Sequence, residues 1–376
     1  MQSRRRYLLG SLGVGFAALG GSCAAAPQAR PIRDALMRTV GVREDLAGTI
    51  AVVVDAGASR MVAHGSTGVP GLALDAHTVF EIGSITKVMT AFLLADMDAR
   101  GEVGLDDPVG EYLPSRVALH PGARSITLRD LAGYNSGLPK FPANLPANWW
   151  INPNPFAAYT VDMLYEALSA FVPGDGPDRQ FVYSSFGIGV LGLALARRAS
   201  KSFEQLLVER VCDPLGLSHT RISLSPDMRR HLAQGRDLRL APVSLWDFTA
   251  ALEGAGAARA SATDMIVFLE ACMGDAPAPL RGAMSRLLET RRSTSLVGTE
   301  AALGWFVSSN GEDEIAWKSG LTGGFNAFIG FSTRSRRGAL VLSNFHWQPV
   351  DVGTTDIGLR LINPDFDAGD LGLLYQ

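Results

Sequence analysis

Lysine is scarce in this chain of 376 residues: only four occur, at positions 87, 140, 201 and 318, against thirty arginines. Where a cation only has to be solvated, the sequence uses Arg. Each lysine therefore raises the question of what an amine does that a guanidinium cannot. An amine can give up its proton and serve as a base, whereas a guanidinium effectively cannot. Cysteine is rarer still, with three in all. Cys212 and Cys272 are far apart, no Cys-x-x-Cys pattern accompanies them, and their apolar helical surroundings predict buried free thiols. The six histidines show no ligand spacing along the chain, so neither a metal nor a cofactor is expected. Charged residues make up only 19% and the net charge is -3. That leaves no basic face to neutralise phosphates and excludes a nucleic-acid binder. Repeats and low-complexity tracts are absent, and no apolar run is long enough to span a bilayer.

The chain does have 47% hydrophobic residues, enough for a full core or for one domain with a large insertion. Its start reads as a removable segment. Ser3-Arg4-Arg5-Arg6-Tyr7-Leu8-Leu9 leads into a short, glycine-broken apolar run from Leu8 to Leu19, which resembles a twin-arginine export signal. Cys23 is a lipidation candidate, but Gly20 stands three places before it, where a lipobox usually has leucine. Cleavage near Ala24 to Ala26 is the expectation. Residues 1–26 are thus read as the signal and 27–376 as the working protein, placed in the periplasm or otherwise exported.

After an amphipathic helix over Ile32 to Asp45, Thr49 to Asp55 is a β-branched strand. Gly57-Ala58-Ser59 turns it into a second strand around Met61 to His64. Ile315 to Lys318, Asn326 to Phe331 and Gly338 to Ser343 are three more strands. Helices are predicted at Ile85 to Arg100, Thr160 to Phe171, Gly187 to Arg198, Phe203 to Val211 and Ala262 to Cys272. Strands at both ends with helices between them predict an α/β (α+β) fold. One antiparallel sheet of five or more strands comes from about 45–70 and 300–376, its first and last strands meeting, around a helical insertion at about 80–300. Five prolines between Leu138 and Phe156 make that stretch a long irregular loop, of the kind that walls a cleft.

Three segments carry chemistry. In Phe80-Glu81-Ile82-Gly83-Ser84-Ile85-Thr86-Lys87, three residues is close to one helical turn, so Ser84 and Lys87 share a face. A serine hydroxyl is a weak nucleophile at neutral pH, and a partly desolvated lysine can activate it. The alternative is an ordinary surface helix start capped by Ser84. Against it, Val88 to Leu94 is apolar, so the helix is buried and its lysine needs a partner or a role. Tyr183-Ser184-Ser185 opens a small-residue apolar helix; in isolation Tyr183 would be a core tyrosine. Trp317-Lys318-Ser319-Gly320-Leu321 runs from a strand into a glycine-rich turn, placing an amine, a hydroxyl and backbone N–H groups on one edge. A plain β-turn would also explain those glycines. No Gly-x-Ser-x-Gly occurs, which disfavours an α/β-hydrolase.

Together these segments resemble the serine β-lactamase and penicillin-binding-protein superfamily, and within it the class C β-lactamase branch. That branch carries Ser-x-x-Lys, Tyr-x-Asn and Lys-Thr-Gly in this order. Leu128 to Pro139 and Ser261-Ala262-Thr263-Asp264-Met265 are similar to the branch as well. The resemblance implies Ser84 as nucleophile, Lys87 and Tyr183 sharing the base role, and Lys318 supplying positive potential. Ser185, Ser319, Gly320 and Leu321 would contact substrate, with the Ser84 and Leu321 N–H groups as oxyanion hole. It implies hydrolysis of a β-lactam or a D-alanyl peptide amide through an acyl-enzyme. A carboxylesterase, or a non-catalytic penicillin- or peptidoglycan-binding relative, are the alternatives. Two departures bear on the substrate. Ser185 stands where the branch has asparagine, and an ungapped count puts Pro349 and Val352 where it has an Asn and an Arg near the β-lactam carboxylate.

Overall fold

The computed structural model describes residues 46–174, 180–309, 313–346 and 353–366. The export segment, Cys23, the helix expected over 32–45, Pro349 and Val352 lie outside them.

Eleven strands are described: β1 (Gly48–Asp55), β2 (Ala58–Gly65), β3 (Val79–Glu81), β4 (Thr220–Arg221), β5 (Arg259–Ser261), β6 (Arg292–Ser293), β7 (Thr299–Ala301), β8 (Phe306–Ser309), β9 (Glu314–Leu321), β10 (Asn326–Ser332) and β11 (Arg337–Ser343). The β-branched run Thr49 to Val54 is buried throughout, as expected of a strand covered on both faces. It turns at Ala56 and Gly57, whose φ values of 48° and 81° suit a tight two-residue hairpin. Ala58 and Ser59, expected in the turn, already belong to β2. The principal sheet is antiparallel, in the order β2-β1-β11-β10-β9-β8-β7-β6. β1 and β11 pair from Thr49–Ser343 to Asp55–Arg337, so the first and last segments of the sheet do meet.

The principal helices are α1 (Thr86–Ala99), α2 (Val161–Ala170), α3 (Ser185–Ala199), α4 (Ala262–Glu270) and α5 (Thr354–Ile362). α4 and α5 pack on the sheet, while α1 is buried from Thr86 to Met97. The helices expected to run to Val211 and Cys272 stop earlier and continue as wider π-turns, Val208–Cys212 and Ala271–Asp275. Gly274, at φ 106°, breaks the second. β6, β7 and the minor sheet β3-β5-β4 were not foreseen. Segments of two or three residues are too short to show a period, and only their pairing partners define them. The thiols are free: Cys212 is buried, and Cys272, partly exposed as a residue, has a thiol whose pKa burial pushes up.

One register detail opens the site. β8 covers β9 only from Glu314 to Trp317. Lys318 to Leu321 run on beyond the end of β8, paired with β10 alone, and lie against the turn at Gly83–Ile85.

Candidate active site

The nucleophile turn is built by close backbone approach. Gly83 adopts φ 49°, and a Cβ there would stand 2.7 Å from Leu321 N. A Cβ on Gly320 would meet Ile82 O at 2.0 Å and Ser84 N at 3.0 Å. Two glycines therefore let the end of β9 lie directly on the turn, with the amide nitrogens of Ser84 and Leu321 close by. Thr86 fixes the turn from below: its hydroxyl donates to Gly83 O (2.7 Å) and accepts from Ala258 N (3.1 Å).

Ser84 is partly exposed and Lys87 is buried. The Lys87 amine lies 3.0 Å from Ser84 Oγ and donates to Ala255 O at 2.5 Å. Burial, aided by the charge of Lys140, pushes its pKa down to about 7. A neutral amine at that distance can take the serine proton. Tyr183, also buried, sits between two amines. Its ring centroid is 5.2 Å from Lys87 Nζ and 4.2 Å from Lys318 Nζ.

Lys318 is fully buried in an aromatic cage. Its amine lies 4.3 Å from the Phe306 ring centroid and 5.0 Å from that of Tyr134. Ring faces favour a cation, yet burial, with Lys87 nearby, holds its pKa well below the usual lysine range.

Of the residues named from sequence, Ser84, Lys87, Tyr183 and Lys318 converge. Gly320 and Leu321 face the nucleophile turn, and Ser185 and Leu321 line the cleft beside Ser84. Ser319, between Lys318 and Gly320 on β9, is buried (3% exposed) and stands opposite Phe328 of β10.

Sequence reasoning missed four features. Lys140 is a third site lysine, close enough to act on Lys87. Its carbonyl accepts from Ser185 N at 2.9 Å, and its scarcity was the signal available. Phe141, Phe156 and Phe248 line the cleft. Behind the nucleophile strand, Glu81 and Arg259 form a buried pair at 3.5 Å, and burial raises the Glu81 carboxyl to about 7. Finally, His77, His219 and His231 gather with ring centroids 5.9 to 6.4 Å apart, although their sequence spacing gave no hint of it. Among the described residues no group of three His, Cys, Asp or Glu is arranged to hold a metal ion.

Comparison with known proteins identifies the family. Residues 33–359 match the family model for Beta-lactamase. The chain is 25% identical over 350 residues to a beta-lactamase of Pseudomonas fluorescens, covering 84% of this chain and 93% of the relative. It is 28% identical over 280 residues to the D-alanyl-D-alanine-carboxypeptidase/endopeptidase AmpH of Escherichia coli K12, covering 70% of each. A class C beta lactamase from Rhodobacter sphaeroides shares the fold, with a TM-score of 0.75 at 24% identity over 87% of this chain and 98% of that one. The chain belongs to the Beta-lactamase family and is a serine hydrolase.

Proposed function

We propose that the protein hydrolyses a β-lactam or a D-alanyl peptide bond through an acyl-enzyme on Ser84. The observation that carries the proposal is the 3.0 Å approach of the Lys87 amine to the Ser84 hydroxyl, with Lys87 held near pKa 7. In this reading Lys87, with Tyr183, takes the serine proton as Oγ attacks the carbonyl. The N–H groups of Ser84 and Leu321 stabilise the oxyanion, and Lys318, stacked on the Tyr183 ring, adds positive potential only when protonated, a form that its burial disfavours. Water then releases the acyl group. The names of relatives, beta-lactamase and D-alanyl-D-alanine-carboxypeptidase, support the substrate class, and the arginine-led N-terminal segment supports export. Among the described residues no helix is long and apolar enough to cross a membrane. A second reading, an esterase on the same scaffold, is favoured by Ser185, whose short hydroxyl replaces a substrate-reaching amide.

Intact-protein mass after incubation with a slow penicillin, and separately with an activated ester, tests the proposal. A Ser84-dependent adduct that persists with penicillin indicates a peptidase, and rapid return to free mass with hydrolysed drug indicates a β-lactamase. Acylation by the ester alone indicates the esterase, and no adduct with either reagent refutes the acyl-enzyme.

Two further outcomes are expected. Gly320→Ala should lower kcat/KM by about 10²-fold, because the new methyl would press on the backbone at Ile82 and drive the edge of β9 away from the oxyanion position; steady-state kinetics check it. Lys140→Gln should move the acid limb of the pH–rate profile to higher pH. Removing that charge lets Lys87 hold its proton more tightly, so its pKa rises and the neutral base appears later.

A further inference from the structure

The catalytic groups leave one side of the cleft to account for. Beyond Ser84 and Lys87, its lining is apolar except for Ser185: Phe141, Phe156, Phe248 and Leu321 face the nucleophile. The three phenylalanines come from two distant loops yet form one aromatic wall. The centroids of Phe156 and Phe248 are 4.9 Å apart with rings 21° from parallel. Phe141 stacks on Phe156 at 5.9 Å, and Trp149 and Trp246 back them at 6.0 and 5.3 Å.

The wall is held in place, not merely collapsed. Asp247 N donates to Asn154 Oδ1 at 2.8 Å, and Asn154 Nδ2 returns a bond to Asp247 Oδ2 at 2.9 Å, joining the two loops. Trp246 N donates to Glu81 at 2.8 Å, and Trp246 O accepts from Arg259 at 2.8 Å. The buried ion pair behind the nucleophile strand therefore grips the segment carrying Phe248. Gly256 clears the space, since a Cβ there would lie 3.1 Å from the Phe248 ring. Phe141 and Phe248 are only partly buried, whereas Phe156 between them is buried.

We propose that this wall is an acyl-recognition subsite selecting substrates whose acyl group is uncharged and aromatic. The inference rests on the acyl-enzyme reading and narrows its substrate class. A preformed aromatic surface gains offset or edge-to-face contact with a flat ring. The single hydroxyl of Ser185 imposes no requirement for an amide on the acyl side. The competing occupant is a carboxylated acyl group drawn to Lys140, whose amine lies 6.0 Å from the Phe141 centroid.

The test compares three p-nitrophenyl esters with a common leaving group, the acetate, the phenylacetate and the hemisuccinate, each corrected for spontaneous hydrolysis. The phenylacetate should exceed the acetate in kcat/KM by about tenfold or more, and Phe248→Ala should bring that ratio to within about twofold. On the wild-type protein, which carries no folding risk, phenylboronic acid should inhibit at least about tenfold more tightly than methylboronic acid. Equal rates with Ser84-dependent turnover, a preference that survives in Phe248→Ala, or a hemisuccinate preference lost in Lys140→Gln would each overturn the subsite while leaving the acyl-enzyme intact. Absence of Ser84-dependent turnover of every ester would instead remove the acyl-enzyme, and the subsite with it.

Discussion

Ser84→Ala is expected to lower kcat by about 10⁴-fold or more, roughly 5 kcal/mol in the barrier, with a nearly unchanged unfolding temperature. The hydroxyl is partly exposed. When it is lost, Lys87 keeps its bond to Ala255 O, so no buried amine is stranded and little stability is at stake. The turn itself does not depend on the hydroxyl, because Thr86 holds Gly83 and Ala258. Kinetics with any substrate the wild type turns over, paired with a thermal melt, check both halves. Residual activity above about 1% would mean that another group attacks the carbonyl.

Lys87→Arg should cost about 10³-fold in kcat although the charge is retained. A guanidinium keeps its proton at any accessible pH, so it cannot accept one from Ser84. The pH profile separates lost basicity from misfit. Lys87, pushed down to about 7 mainly by burial, is neutral above that value, so wild-type activity should rise as pH rises through about 7. The remaining activity of the arginine variant should show no inflection there. A rate within tenfold of wild type would remove Lys87 from the base role. The same shift predicts a stability trend. Between about pH 7 and 10 the unfolded chain holds a proton on this lysine that the folded chain has released. The contribution of this group to stability therefore grows with pH across that window.

Ser84 and Lys87 were legible because three residues on a helix fix their proximity locally, and the scarcity of lysine singled out Lys87 and Lys318. The proline-rich loop from 138 to 156 was legible as a cleft wall, but its partner was not. Phe248 follows no period, and its place depends on Glu81 and Arg259, which lie 178 positions apart. The aromatic cage around Lys318 draws on Tyr134, Tyr183 and Phe306, three segments that meet only once the sheet and helices have packed.

The pairing of β1 with β11 also sets a timetable. Thr49 and Ser343 touch across 294 positions of sequence, so β1 finds its second neighbour only after nearly the whole chain has been made. At typical translation speeds that interval is roughly 15 to 60 s. Until then Ile50 to Val54, a run with strong β propensity, can pair only with β2. The outer hairpin strand, with its exposed Arg60, covers one edge of this sticky segment, while the edge that β11 will take stays open to the same segment on another nascent chain.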